Sequence, residues 1–185
     1  MPCSAEKPAV MKSAKELPDA IKNTHFWFST NRRAAGFLPH HEIAVAAIAG
    51  GAQGIEFCEH NFNDEEFVTE ALKVKEVCDR FQVPLIIKHH VVAAFIIDAA
   101  GVHLTDKDMP IDEARRILGK GKVIFSEADL PGIDYLVAEG EPDEGSLDAF
   151  VHGCATKMIL SQVGLKTKDP EEACRLFAQA IQNRD

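Results

Sequence analysis

From residue 24 onward, short apolar runs alternate with amphipathic stretches, the pattern expected of repeated βαβ units on a parallel sheet. The first run, His25-Phe26-Trp27-Phe28-Ser29, is a compact aromatic strand. An apolar helix over 41–49 stops at Gly50-Gly51, and a second strand covers 54–60. The clearest helix spans 64–81. Phe67, Ala71, Val74, Cys78 and Phe81 recur at three- and four-residue spacing on one face, and Asn63 with Glu66 reads as an N-cap arrangement. Val83-Pro84 opens a third strand over 83–88, followed by a short apolar helix over 91–100 and a fourth strand over 101–104. Pro110 then begins a helix to Leu118-Gly119 with Ile111, Ala114, Ile117 and Leu118 inward.

Regularity falters in the second half. Residues 126–132 separate a fifth strand, 122–125, from a sixth, 133–138, and they are too few for an outer helix. An acidic run, 139–145, reads as a solvated surface loop. A helix over 146–153 follows, with a short strand over 148–152 as the alternative, and then a last strand over 157–163. Asp169-Pro170-Glu171-Glu172 starts the final helix with a cap, a first-turn proline and two acids, and Ala173, Leu176, Phe177, Ala180 and Ile181 form its buried face. Seven strands result where a closed (β/α)₈ barrel has eight, in a chain shorter than the roughly 250 residues typical of that fold. The expected fold is a single α/β domain over 1–185: a trimmed TIM-type (β/α) barrel of seven or eight parallel strands with shortened outer helices. Residues 1–23 form an N-terminal extension. An edge left open near 126–156 calls for cover, and a second copy of the chain in a homodimer is the expected one.

Composition narrows the function. With 46% hydrophobic and 26% charged residues, the 185-residue chain can bury an ordinary core. A net charge of −9 argues against nucleic acid as a partner, because a phosphate backbone needs a positive field. No apolar run approaches the roughly 18 residues of a membrane span. Residues 1–15 lack the apolar stretch of a signal peptide, and five scattered cysteines without a Cys-x-x-Cys pair read as reduced thiols. The expected location is cytoplasmic and the expected partner a small molecule.

Several segments together resemble one family. Gly101-Val-His-Leu-Thr-Asp-Lys-Asp-Met-Pro110 is similar to the Gly-Val-His-Leu-Gly-Gln-x-Asp-Leu-Pro signature of thiamine-phosphate synthases. Val83-Pro-Leu-Ile-Ile-Lys88, Gly132-Ile-Asp-Tyr135 and Asp169-Pro-Glu-Glu-Ala173 match further family segments in order, over about residues 24–182. The chain thus resembles the thiamine-phosphate synthase and thiazole tautomerase family, which implies a TIM barrel, a role in thiamine metabolism and Mg²⁺ as cofactor.

The positions that carry the family's chemistry are mostly replaced. Its Gln-x-Arg-x-Lys falls on Glu56, Cys58 and His60, and its Asn-Asp on Lys88 and His89. Asp108 matches the second magnesium carboxylate, Ser126 what is left of Gly-x-Ser, and Ser161 the serine of the last strand. The tautomerase branch carries a histidine after strand five, where this chain has Glu127 nearby. A pyrophosphate taken from water needs cations or N–H donors, and this set supplies few.

Strand alternation puts Glu56, Cys58 and His60 on one side of strand two, facing the barrel mouth with Lys88, His103 and Asp108. The expected roles are Glu56, His60 and His103 in catalysis, Cys58, Lys88, Ser126 and Ser161 in substrate binding, and His89 with Asp108 on a metal. Imidazole, thiolate and carboxylate side chains also suit a transition metal as the alternative to Mg²⁺. Three functions follow. The first is a divergent family member binding a small phosphorylated thiazole or pyrimidine, active as a transferase or isomerase if at all. The others are a metal- or small-ligand-binding barrel of different chemistry and a non-catalytic relic.

Overall fold

Eight strand segments, all paired in parallel, form the sheet of the computed structural model, which describes residues 17–153 and 157–183. They are β1 Phe26–Ser29, β2 Gly54–Phe57, β3 Leu85–Lys88, β4 Gly101–His103, β5 Val123–Ser126, β6 Tyr135–Leu136, β7 Ala138–Gly140 and β8 Met158–Leu160. Their order is β6-β5-β4-β3-β2-β1-β8-β7. β6 and β7 are the two halves of one extended run joined at Val137. The first half pairs with β5, ending in Val137 N–H donating to Ser126 O at 2.9 Å. The second half pairs with β8, beginning with Ala138 N–H donating to Lys157 O at 3.2 Å and ending with Ser161 N–H donating to Gly140 O at 3.1 Å. The run passes the ladder from one neighbour to the other and so completes the barrel. The open edge expected from the sequence is filled, because the sixth strand continues past 138 to Gly140.

The helices are α1 Asp19–Lys22, α2 His40–Ala49, α3 Asp64–Phe81, α4 Val91–Ile96, α5 Ile111–Leu118, α6 Leu147–Gly153 and α7 Pro170–Gln182. No helix lies between β5 and β6, and α4 and α6 are short, so the trimming falls where the spacing placed it. Residues 148–152, weighed as a strand, lie in α6. α3 carries a full capping box, with the Asn63 side chain accepting from Glu66 N–H and the Glu66 carboxylate from Asn63 N–H. Its buried stripe is Phe67, Ala71, Val74, Val77 and Cys78. Phe81, expected inward, is 46% exposed, because the helix ends there and the chain turns through left-handed Gln82.

Alternation along the strands divides the apolar residues into two cores. Phe28, Ile55, Phe57, Ile87, Val102, Ile124 and Leu160 face out and pack under the helices. Trp27, Ile86, Val123, Phe125, Tyr135, Val137 and Ile159 form the inner cluster with Leu17 and Ile21. Gly54 makes room for the indole, since a Cβ there would lie 2.3 Å from Trp27.

Leu17 and α1, the described end of the N-terminal extension, plug the barrel at its strand starts. Lys157, 2% exposed at the head of β8, donates to Ile21 O at 2.7 Å, Lys22 O at 3.1 Å and Thr24 O at 2.6 Å, and lies over the Tyr135 ring. Burial pushes its pKa down to about 8. The unfolded chain then holds this proton more tightly than the folded one, so the cost is in full below pH 8. Stability should therefore rise as pH goes from about 8 towards the ordinary lysine value near ~10.4. Lys157→Met should flatten that rise in urea unfolding curves. It should also destabilise the protein at neutral pH by about 2–4 kcal/mol, because three carbonyls lose their donor.

Candidate functional site at the barrel mouth

The inward positions nearest the strand C-termini are polar. Glu56 on β2 and His103 on β4 are fully buried, and Glu56 Oε1 lies 2.7 Å from His103 Nδ1. β3 lies between their strands and supplies Lys88, whose ammonium pairs with the Glu139 carboxylate of β7 across the mouth. Glu127, just after β5, hydrogen-bonds Glu139 and puts Oε1 3.8 Å from His103 Nε2. Glu56 Oε2, His103 Nε2 and Ser161 Oγ are buried without a protein hydrogen-bond partner. Three carboxyl groups and one ammonium therefore meet in the throat.

The protonation states follow from these contacts. Burial alone would lower His103, but its hydrogen bond to Glu56 and that residue's charge raise it overall. Burial would also lower Lys88, and the Glu56 and Glu139 charges outweigh it, so the lysine stays charged. Glu127 is raised by burial and by its hydrogen bond to Glu139. Glu139 is lowered despite burial, through Glu127 and Lys88. The two carboxyl groups share a proton, with Glu127 the one shifted towards the protonated form.

A second cluster lies at the rim. β2 ends at Phe57, so alternation no longer governs residues 58–60: Cys58 is half-buried and His60 exposed. His60 Nε2 is 3.5 Å from Cys58 Sγ, and its ring centroid is 5.6 Å from that of His89. His89 adopts a left-handed backbone, φ 67°, which turns the chain out of β3 and directs Nδ1 to Asp108 Oδ2 at 2.8 Å. The same oxygen accepts from Thr105 N–H at 2.7 Å and Thr105 Oγ1 at 2.8 Å. Burial would raise Asp108, but these donors hold it below the ordinary range. As a magnesium site the pair fits poorly: one carboxylate oxygen already takes three donors, and its neighbour is an imidazole where magnesium favours oxygen.

Of the residues expected at the site, Glu56, Lys88 and His103 converge in the throat, with Cys58 beside them. His60, His89 and Asp108 share the rim. Ser126 is fully buried, and its Oγ accepts from Ala128 N–H at 3.2 Å. Ser161 brings its bare hydroxyl to the end of β8. Burial, with the Glu56 charge, pushes the Cys58 thiol up to about 12. Peptide mapping after alkylation at pH 8 should find Cys58 labelled roughly 10³-fold more slowly than a free thiol of pKa about 8.5.

Sequence reasoning missed Glu139 by assigning it to a surface loop. The alternation Tyr135, Val137, Glu139 was the signal, since the first two face the inner core and the third must follow. His40, the first residue of α2, was also not expected at the site; it is buried between Thr30 Oγ1 at 2.8 Å and Glu59 Oε2 at 3.3 Å. Glu59 in turn accepts from His60 N–H and Asn61 N–H, so this chain of bonds fixes the loop that carries the rim.

A parallel barrel whose ionisable side chains gather at the strand C-termini is the arrangement in which TIM-type proteins keep their sites. Residues 30–126, just over half of the chain, match the family model described as "Thiamine monophosphate synthase". The chain belongs to the thiamine monophosphate synthase family. A "Thiamine-phosphate synthase" of Clostridium botulinum is 38% identical over 123 residues, covering 62% of this chain and 60% of that protein. A "Thiamine biosynthetic bifunctional enzyme" of Saccharomyces cerevisiae is 35% identical over 98 residues, covering 53% of this chain and 18% of the yeast protein. This chain thus spans about three fifths of the bacterial relative's length. Among solved structures, a thiamine phosphate pyrophosphorylase from Pyrococcus furiosus superposes with a TM-score of 0.76 at 19% identity, covering 87% of this chain and 96% of the other, and so shares the fold. Membership in this family supports a place in thiamine metabolism. Among the described residues, no helix is long and apolar enough to cross a membrane.

Proposed function

We propose that the protein binds a small thiazole or pyrimidine ligand of thiamine metabolism at the barrel mouth and moves a proton on it, as an isomerase rather than a pyrophosphate-displacing transferase. The observation that carries this reading is the Glu127–Glu139 hydrogen bond beside the buried His103–Glu56 pair. Glu127 is the half-exposed member, 46% accessible along its side chain, and so the group a ligand would meet. It follows β5, near where the tautomerase branch of the family carries a histidine. Glu139, Lys88 and His103 hold it in place, and a general acid–base group needs that fixed position first. A ligand phosphate would have Lys88, Ser126 and Ser161 as its partners, with the ring directed inward to the acidic throat.

The test is NMR of thiazole phosphate and of an aminopyrimidine with the purified, chelator-treated protein in D₂O. Saturation transfer should report binding, and ring deuteration should fall at least about 10²-fold in Glu127→Gln. If neither ligand binds, the reading fails. Cytoplasmic placement and a homodimer belong to the same proposal. Apolar surface for self-association lies on α4, where Val92, Phe95 and Ile96 are exposed. Sedimentation showing only the 20.3 kDa species would remove the dimer.

A further inference from the structure

We infer that the throat of the barrel holds a divalent first-row transition metal ion, bound by Glu56, His103 and Glu139. Each of the three offers a donor atom within 4.8 Å of the other two. Donors on a common ion at about 2.0–2.2 Å stand somewhat closer together than that, a contraction within the reach of side-chain adjustment.

A further observation raises this above a cluster of acids. His103 and Glu56 are fully buried, yet Nε2 of one and Oε2 of the other have no protein hydrogen-bond partner. Bare buried polar atoms of this kind cost about 1–3 kcal/mol each and call for an occupant. Glu56 Oε1 and His103 Nδ1 already lie 2.7 Å apart, so an ion held by both side chains takes the place of that hydrogen bond.

Charge points the same way. With one proton shared between Glu127 and Glu139, the three carboxyl groups bring two negative charges and Lys88 returns one, so the throat keeps a net negative charge that favours a cation. The donor set selects the kind of ion: one imidazole with carboxylates suits Zn²⁺, Mn²⁺, Fe²⁺ or Co²⁺, whereas Mg²⁺ favours oxygen alone. This throat is separate from the rim pair His89–Asp108, where Asp108 Oδ2 already takes three donors. In the structure the Lys88 ammonium occupies the place of a cation against Glu139. An entering ion must displace it, so Lys88 sets the affinity.

The inference goes beyond the ligand reading and does not depend on it. The experiment is a Co²⁺ titration of the chelator-treated full chain, followed by visible absorption, with metal content measured after gel filtration. One Co²⁺ per chain is expected, with d–d bands of a nitrogen–oxygen ligand set. Glu139→Gln and His103→Ala should each weaken binding at least ~10-fold, and Lys88→Met should tighten it by ~10-fold through loss of a like charge. The isosteric Glu139→Gln guards against a folding defect in His103→Ala. Absence of one-to-one binding in both the parent and Lys88→Met would overturn the inference. So would binding that survives Glu139→Gln and His103→Ala but is lost in His60→Ala/His89→Ala, which would place the ion at the rim. Because the ligand test uses chelator-treated protein, either reading can fail without the other.

Discussion

Supplied with hydroxymethylpyrimidine pyrophosphate, thiazole phosphate and Mg²⁺, the protein is expected to turn over at least about 10³-fold more slowly than the ~10 s⁻¹ median of enzymes. In that displacement, negative charge grows on a departing pyrophosphate and must be met by cations or donors already aimed at it. The throat has the opposite polarity. Glu56, Glu127 and Glu139 face it, and its one ammonium, Lys88, is already paired with Glu139. At the rim, Asp108 Oδ2 is taken up by Thr105 and His89. Each missing charge contact commonly costs about 3–4 kcal/mol of transition-state stabilisation, so even strongly non-additive losses reach the expected deficit. A coupled assay decides it. Turnover near the enzyme median, abolished by Asp108→Ala, would mean that the rim opens to take magnesium and that the throat is not where the chemistry occurs.

The contrast between what the sequence exposed and what it hid has a physical basis. Long periodic elements were legible because their pattern repeats: α3 and α7 appear with the expected caps, the seven passes through the sheet appear in order, and the missing helix between β5 and β6 follows from chain length alone. The family segments that survive are also largely scaffold. Asp134 of Gly132-Ile-Asp-Tyr135 is buried, accepts from Ile124 N–H at 2.8 Å and pairs with Arg115, tying α5 to the β5–β6 edge. Such residues keep a fold recognisable when its chemistry has changed.

The site was legible only where a strand carried it. Glu56, Lys88 and His103 lie within β2, β3 and β4, so alternation placed them correctly. His60 lies three residues past the end of β2, and its direction is set by hydrogen bonds to Glu59 that no periodicity reveals. Glu139 failed for the reverse reason. Its acidic neighbours made it look like surface, yet pairing with β8 extends the strand through it and turns its side chain inward. Composition decides exposure only until a backbone ladder overrules it.

The largest effect on stability should come from the buried pair. His103→Leu is expected to destabilise the protein by about 3–5 kcal/mol, because it leaves the Glu56 carboxylate fully buried beside nothing better than Lys88. Glu56→Leu should cost less, about 1–3 kcal/mol, since a stranded imidazole is neutral at little cost, whereas a stranded carboxyl group must take up a proton far above its ordinary pKa. The double variant should be less destabilised than the sum of the two, and close to Glu56→Leu alone. Once the carboxylate is gone, the second change removes only a polar ring, and two leucines leave no buried charge to solvate. Urea unfolding of the four proteins in chelator, at matched m-values, measures the coupling without any metal or ligand. Additivity within about 0.5 kcal/mol would mean that the two side chains do not depend on each other. The 2.7 Å contact beside which the ligand reading places its acid–base pair would then contribute nothing to holding the throat together.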